Sequence, residues 1–359
     1  MKDTSVMARV RQLLTLDQNF TNLIALTLIV YLVLVPLLGG RFLSEANLQS
    51  MAVQISEFGL LALAMGLAML TGGFDLSIVA AAGLSAVVGS MFMRGDFIEI
   101  TAANQGTVMA IWIAAMLLTG MLTGLVNGTL IAKFSVPPML ATLGTYIMFT
   151  GIATVLTEAR AVSVVIPAYP EIAVTTIAHV PLIFIIMLVV FVAAAFGLSR
   201  TRTGRRIYLY GENKVALRFT GARNERLIMT TYITIGLVVG LAGVLISSRA
   251  NGIKVGYGDS YLLQAILVVI LAGFSPYGGR GRVASLFVGL LMLQSLSSAF
   301  TIMQFNPFMK KLIWGGMLLA VMLVNFVADR RAAARRLARD AATHPAEAVV
   351  ERQPAGVSS

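Results

Sequence analysis

The sequence predicts an all-α fold, a polytopic membrane bundle of about ten transmembrane helices. Of its 359 residues, 58% are hydrophobic and only 12% are charged, whereas a soluble protein carries about 25% charged residues. The apolar residues form runs long enough to span a bilayer as helices, separated by short polar segments. These runs cover about residues 23–38, 48–70, 75–93, 107–131, 139–157, 180–198, 227–248, 261–273, 284–303 and 310–327.

Two of the ten runs show signs of an interrupted helix. The segment Thr71-Gly72-Gly73-Phe74 leaves very little room for a turn between the second and third runs. The eighth run, 261–273, is short and flanked by glycines. Irregular backbone at membrane depth is tolerated where protein buries it or where it lines a cavity. Either place could hold a discontinuous or re-entrant helix in place of a complete crossing.

A 28-residue polar island, Ser199–Arg226, sets the predicted orientation because it holds eight basic residues. Basic residues concentrate in cytoplasmic loops. With both termini in the cytoplasm, ten spans place twenty Lys and Arg residues inside and seven outside. The first span shows no cleavage site of small residues, so we expect it to be retained.

The chain is expected to contain one domain. Residues 1–22 are interpreted as a cytoplasmic N-terminal segment and 23–327 as a single transmembrane domain whose cytoplasmic loop is 199–226. Residues 328–359 are rich in Ala and Arg and then contain Pro, Ser and Gly, which predicts a cytoplasmic, largely disordered tail. Its first part could extend the last helix.

Several classes of chemistry are excluded by composition. The chain has no cysteine, and its two histidines, His179 and His344, lack partners at helical spacing. It contains no phosphate-binding loop motif, so it does not hydrolyse ATP by itself. The net charge of +11 comes from basic residues between apolar spans, not from a basic soluble fold. We therefore expect no catalytic residue, no metal, no cofactor and no nucleic acid partner.

Charged residues are rare at the predicted membrane depth. Only Glu57, in the second span, and Asp75, at the start of the third, lie there. Such residues are costly in a bilayer and mark functional sites, yet two isolated carboxylates make a poor ion relay. Glu57 could equally satisfy a neighbouring helix, and Asp75 follows two glycines where an N-capping carboxylate belongs.

Small residues recur every three or four positions in three spans. Such stripes allow helix backbones to approach closely, which predicts a tightly packed bundle. Two of the stripes are Gly120, Gly124 and Gly128, and Gly236, Gly240 and Gly243.

Within the polar island, the sequence predicts a helix of about two turns. Glu212 and Asn213 suit its N-cap and Gly221 suits its end. Such a helix has no core of its own and would expose apolar side chains. These are Val215, Ala216, Leu217 and Phe219. A soluble partner subunit or the bilayer surface could cover them.

Five motifs, in this order, carry a resemblance to a known family. They are Thr71–Ser77 (TGGFDLS), Gly124–Gly128 (GLVNG), Pro137–Thr145 (PPMLATLGT), Gly204–Asn213 (GRRIYLYGEN) and Ser275–Arg282 (SPYGGRGR). Together they resemble the permease subunits of ribose- and galactose-type ABC importers of bacteria, over about residues 48–327. Gln264 departs from the family pattern, which commonly has Asp there.

The resemblance implies a bacterial inner-membrane protein with several partners. It implies an ATP-binding cassette ATPase subunit that binds the ATP, a periplasmic sugar-binding protein, and a second permease copy or homologue. The chain itself would lie in the lipid bilayer. The island would carry the helix that couples to the ATPase. The residues that match this coupling loop are Gly204, Arg205, Tyr208, Gly211, Glu212, Asn213, Ala216, Phe219 and Gly221.

The implied substrate is a monosaccharide or similar polyol. By motif position, the candidate pathway residues are Glu57, Phe74, Asp75, Asn127, Thr142, Thr145 and Gln264. Uncharged polar groups suit sugar hydroxyls and an aromatic ring suits the face of a sugar, although the same side chains also join helices. The alternatives are a branched-chain amino acid permease, an ion-coupled secondary transporter and, with no metal or triad cluster to support it, a membrane enzyme.

Overall fold

A computed structural model describes residues 18–95 and 98–343 of the chain. Thirteen α-helices make up most of this part. They are α1 (Gln18–Leu38), α2 (Glu45–Leu70), α3 (Ile78–Phe92), α4 (Gln105–Ala132), α5 (Pro138–Thr157), α6 (Ala168–Val174), α7 (Leu182–Arg200), α8 (Arg202–Glu212), α9 (Lys214–Phe219), α10 (Asn224–Ala250), α11 (Asp259–Leu271), α12 (Val283–Ile302) and α13 (Pro307–Thr343). Short strands are β1 (Val162–Ser163), β2 (Thr176–Ile177), β3 (Val180–Pro181) and β4 (Gly252–Ile253).

Within the described residues, eight helices are long and apolar enough to cross a membrane. These are α1, α2, α4, α5, α7, α10, α12 and the first half of α13. The two remaining apolar helices, α3 and α11, have 15 and 13 residues. At 1.5 Å per residue each reaches only about 20 Å, less than the hydrocarbon thickness of about 30 Å. The predicted all-α membrane fold is confirmed. The short helix α3 follows the suspected break at Thr71–Phe74, and the short helix α11 covers most of the suspect run 261–273.

The buried centre of the bundle consists of α2 and α10 together with α3 and α12. Almost every residue of α2 from Ile55 onward is buried. The helices α4 and α10 approach each other most closely, through glycines. A methyl group added at Gly120, Gly124 or Gly236 would overlap the backbone of the facing helix. The predicted close packing at these glycines is therefore present.

The helices at the edge of the bundle expose apolar side chains. Leu32 of α1, Val155 of α5 and Leu312 of α13 are examples. In water such a surface would be unfavourable, but lipid tails are as apolar as these side chains. The surface of the bundle therefore fits a bilayer.

The segment between α5 and α7 packs on one end of the bundle. Its strand β1 pairs antiparallel with β4, which directly follows α10. Tyr169 of α6 is fully buried, and its hydroxyl lies 2.6 Å from Ser247 Oγ of α10. This bond fixes the segment to the end of α10 that lies farthest from the polar island.

The last helix extends well past its membrane-length part. The apolar window of α13 ends at Val324, and the helix continues to Thr343. The first part of the predicted tail is thus helical. The predictions for residues 1–17 and 344–359 lie outside the described residues.

Candidate functional site

The helix break, Thr71–Ser77, separates α2 from α3. Gly72 adopts a φ of +81°, a conformation that glycine tolerates best. Beyond it, the Asp75 carboxylate accepts hydrogen bonds from the Ser77 amide at 2.9 Å and from the Ser77 hydroxyl at 2.6 Å. Asp75 thereby closes the turn that starts α3, close to the capping position that the sequence suggested.

A hydroxyl cluster surrounds this break. Its members are Asp75, Ser77, Asn127, Thr142 and Thr145. The Asn127 amide donates to Ser77 Oγ at 2.7 Å and accepts from the Thr145 hydroxyl at 2.7 Å. All five side chains belong to residues that are almost fully buried. Four predicted pathway residues are therefore brought together by α3, α4 and α5.

Thr142 ties the helix break itself to α5. Its hydroxyl accepts from the Leu76 amide at 3.1 Å and donates to its own helix at Pro138 O, 2.8 Å away. An amide at a helix break lacks its helical acceptor, so the Thr142 oxygen satisfies a group that would otherwise be orphaned. The cluster thus supports an irregular backbone inside the bundle.

Tyr232 of α10 was not among the predicted site residues, and the structure places it near this cluster. Its ring is fully buried, and its hydroxyl has no hydrogen-bond partner among the described residues. It lies within electrostatic range of the Asp75 carboxylate. A buried donor without a partner is uncommon, so the Tyr232 hydroxyl is available to donate a hydrogen bond near the break.

Of the other predicted pathway residues, Glu57 and Gln264 are not joined to the hydroxyl cluster, whereas the carbonyl oxygen of Phe74 accepts from the Thr142 hydroxyl at 3.2 Å. Phe74 is half-buried and packs on the hydrophobic core. Gln264 is half-buried on α11, and no hydrogen bond joins it to the cluster within the described chain. Glu57 binds instead to Arg249 and Tyr261, at 2.8 and 2.7 Å. Glu57 and Gln264 therefore do not complete one site with Asp75.

The polar island folds into two helices, α8 and α9. Thr201 caps α8 by accepting from the Gly204 amide at 3.0 Å. Asn213 caps α9 by accepting from the amides of Val215 and Ala216, at 3.0 and 2.9 Å. Gly221 follows with a φ of +77°. The predicted short helix is confirmed, with Asn213 as its N-cap and Gly221 just past its end, whereas Glu212 is the last residue of α8.

One expectation about α9 is wrong. Leu217 is buried, whereas Val215, Ala216 and Phe219 are exposed, Phe219 to 88%. Because α9 packs against α8 and α10, one of its apolar side chains must face them. Leu217 anchors the helix, and the others remain on its open face.

The inner side of the island contacts the helix break and a glycine turn, Ser275–Arg282. Tyr208 donates to Gly281 O at 2.9 Å, and the Gly279 amide donates to Leu70 O at 3.1 Å. A methyl group at Gly211 would overlap the backbone of Leu70 and Gly279. Three segments that are distant in sequence therefore meet through their backbones.

The residues that match the predicted coupling loop divide between these two sides. Those on the open side are Arg205, Glu212, Asn213, Ala216, Phe219 and Gly221, and those on the inner side are Gly204, Tyr208 and Gly211. Burial raises the pKa of Tyr208 above its ordinary value, and the positive charge of Arg282 partly offsets this. The motif thus combines an exposed surface with an anchor to the bundle.

The described residues contain no group of three or more His, Cys, Asp or Glu side chains that could hold a metal ion. Comparison with known proteins gave a family and several relatives. Residues 47–322 match the family described as "Branched-chain amino acid transport system / permease component". No solved structure matches the chain.

Three curated relatives match nearly the whole chain. The ribose import permease protein of Bacillus subtilis is 30% identical over 312 residues, 86% of this chain and 92% of the relative. The D-allose transport system permease protein of Escherichia coli is 28% identical over 284 residues, 79% of this chain and 84% of the relative. The autoinducer 2 import system permease protein of Photorhabdus luminescens is 26% identical over 314 residues, 87% and 92% of the two chains.

Proposed function

The chain belongs to the family of branched-chain amino acid transport system permease components, and we propose that its cargo is a monosaccharide or similar polyol. It is a multi-pass permease of the bacterial inner membrane and a transport component of an ABC importer, not an enzyme. The observation that carries the sugar assignment is the set of relatives. Those above are named for ribose, D-allose and autoinducer 2, and none of these names refers to an amino acid.

The chemistry of the break supports a neutral cargo. The hydroxyl cluster offers hydroxyl and amide groups, with Asp75 engaged by Ser77. A zwitterionic amino acid would favour charged groups or helix ends pointing at its own charges. Hydroxyl groups instead exchange hydrogen bonds with Asn, Thr and Tyr side chains at little electrostatic cost.

A separate ATPase subunit supplies the energy in this proposal. The chain has no phosphate-binding loop. The open face of α9 presents Val215, Ala216 and Phe219 on an otherwise polar island. A short capped helix with exposed apolar side chains suits docking into a groove. The ATPase would receive α9, and the second permease copy and periplasmic binding protein would complete the importer.

The inner side of the island provides a direct route for the force. Gly211 lies against Leu70, the last residue of α2, and against the glycine turn. Packed elements move as rigid units because interiors are dense. A displacement of α8 and α9 would therefore act on the helix break without an intervening flexible linker.

Reconstitution in liposomes tests this function. The chain, an ATPase subunit and a binding protein are combined, and entry of labelled ribose and allose is followed. The expected result is uptake of at least one of these sugars that requires ATP and all three components. Uptake driven by a proton or sodium gradient without the ATPase would contradict the proposal, and ATP-driven uptake of leucine alone would support the amino acid alternative.

A further inference from the structure

A second polar group lies at the end of the bundle opposite the polar island. Arg249 occupies the last turn of α10, a helix that begins at Asn224, inside the island. Its guanidinium donates to Glu57 Oε2 at 2.8 Å, and the hydroxyl of Tyr261, near the start of α11, donates to the same oxygen at 2.7 Å. We call Glu57, Arg249 and Tyr261 the Glu57 cluster; it joins α2, α10 and α11.

The other oxygen of Glu57 has no partner. The side chain is 0% exposed, and no group in the described chain donates to Oε1. A carboxylate can accept about four hydrogen bonds, and leaving a buried acceptor unsatisfied costs about 1–3 kcal/mol. An orphaned polar atom of this kind needs an explanation, and a ligand that arrives during function provides one.

The cluster reaches the surface through one of its members and one neighbour. The Arg249 side chain is 35% exposed, and Tyr257, in the loop before α11, is 38% exposed. Gln54 lies one helical turn before Glu57, with its amide oxygen accepting from Gln294 at 3.2 Å. Carboxylate, guanidinium, amide and phenol groups thus gather beside an accessible aromatic ring.

We propose that the Glu57 cluster is a hydroxyl-recognition site for the transported polyol, with Glu57 Oε1 accepting from a substrate hydroxyl. The inference rests on the proposed function and specifies its substrate contacts. Arg249 and Glu57 already neutralise each other, so the site carries no net charge and suits a neutral ligand. The Glu57 carboxylate and the Arg249 guanidinium can form hydrogen bonds with the hydroxyls at the edge of a sugar ring, and the Tyr257 ring can pack on its apolar face.

The location agrees with delivery from the binding-protein side. Since α10 runs from the island to Arg249, the Glu57 cluster and the proposed ATPase dock lie at opposite ends of the same helix. A cargo released opposite the ATPase meets Tyr257 and Arg249 first. Movement of Tyr261 on the short helix α11 would then open Glu57 to it.

The test uses the complete importer in liposomes with labelled ribose and allose and their 2-deoxy forms as competitors. Three permeases are compared with the wild type. They are Glu57→Gln, the double variant Glu57→Gln with Arg249→Gln, and the control Glu45→Gln. Glu45 pairs with His179 on the exposed surface. The double variant removes both charges, so it leaves no unpaired buried charge that could prevent folding.

We expect uptake by Glu57→Gln to fall about tenfold, because the substrate hydroxyl loses its hydrogen bond to a charged acceptor. The preference for the full sugar over its 2-deoxy competitor falls in both Glu57 variants. Glu45→Gln resembles the wild type. The proposal is overturned if uptake is unchanged, or if uptake falls equally for all sugars while the preference remains, which indicates a packing role only.

Failure of the proposed function gives a different pattern. In that case the wild type itself takes up neither sugar with ATP, or leucine competes with uptake and the deoxy sugars do not. The site assignment fails where the wild type takes up sugar and Glu57→Gln leaves either the uptake or the preference for the full sugar unchanged.

Discussion

The α-carbon of Gly211 lies against the carbonyl oxygen of Leu70, the residue at which α2 ends. That oxygen also accepts a hydrogen bond from the Gly279 amide at 3.1 Å. The polar island, the helix break and the glycine turn therefore share one contact point. No side chain separates them.

A methyl group at this point is expected to disrupt transport. Gly211→Ala would overlap the backbone of Leu70 and Gly279, and overpacking of this kind costs about 1–3 kcal/mol. We expect uptake per ATP hydrolysed to fall about tenfold or more while membrane insertion is retained. Gly106→Ala, where no atom lies within 4 Å of the added carbon, is the control, and equal behaviour of the two variants would contradict the prediction.

Charge on the open face of α9 is expected to prevent ATPase docking. Phe219 is 88% exposed, so Phe219→Asp leaves the fold intact but places a carboxylate in the proposed apolar contact. Co-purification of the ATPase subunit should be lost, with a cost of about 2 kcal/mol or more. Val174→Asp, in the segment between α5 and α7, tests the general effect of a new surface charge. Retained co-purification with Phe219→Asp would exclude this docking face.

Removal of the bridging amide should destabilise the hydroxyl cluster. Asn127→Ala leaves Ser77 and Thr145 each without one partner, at a cost of about 1–3 kcal/mol per buried group. Thermal unfolding in detergent should show a clearly lower midpoint. Thr129→Ala removes a hydroxyl that donates to its own helix at Leu125 O and lies 4.0 Å from Met229 Sδ, so it should have little effect. Similar losses of stability in both variants would contradict the prediction.

The hydroxyl of Tyr208 is expected to make stability depend on alkaline pH. Burial raises its pKa in the folded protein above the ordinary value of 10.0, against the opposing charge of Arg282. A raised folded pKa stabilises the protein below about pH 10. This contribution is lost as the pH rises through the folded pKa, because the unfolded state ionises first. Denaturant unfolding measures this. Above pH 10 the free energy of unfolding should fall more steeply with pH for the wild type than for Tyr208→Phe, and parallel curves would contradict this assignment.

Local signals in the sequence were sufficient for much of this architecture. Long apolar runs predicted the spans, and glycines marked the two short helices, because these features depend on length and backbone freedom. Asn213 and Gly221 correctly predicted the ends of α9 for the same reason. Capping involves neighbours three or four residues apart, so a single sequence contains the information.

Distant partners could not be predicted in this way. Glu57 binds Arg249 and Tyr261, which lie 192 and 204 positions further along the chain. The burial of Leu217 was missed because the pattern of a six-residue helix does not show which side faces the bundle. The Tyr232 hydroxyl, which has no partner among the described residues, was missed because the local sequence does not show which distant helices bury a side chain.

The seam between α4 and α10 has a consequence for any motion of the bundle. At Gly120, Gly124 and Gly236 the two helices touch backbone to backbone, so neither can shift along the other without steric collision. We expect α4 and α10 to move together as one rigid unit. The short helix α3 also packs on the backbone of α10, because a methyl group at Gly243 would overlap Ala82 O. We therefore expect opening and closing to involve the other short helix, α11, which carries Tyr261.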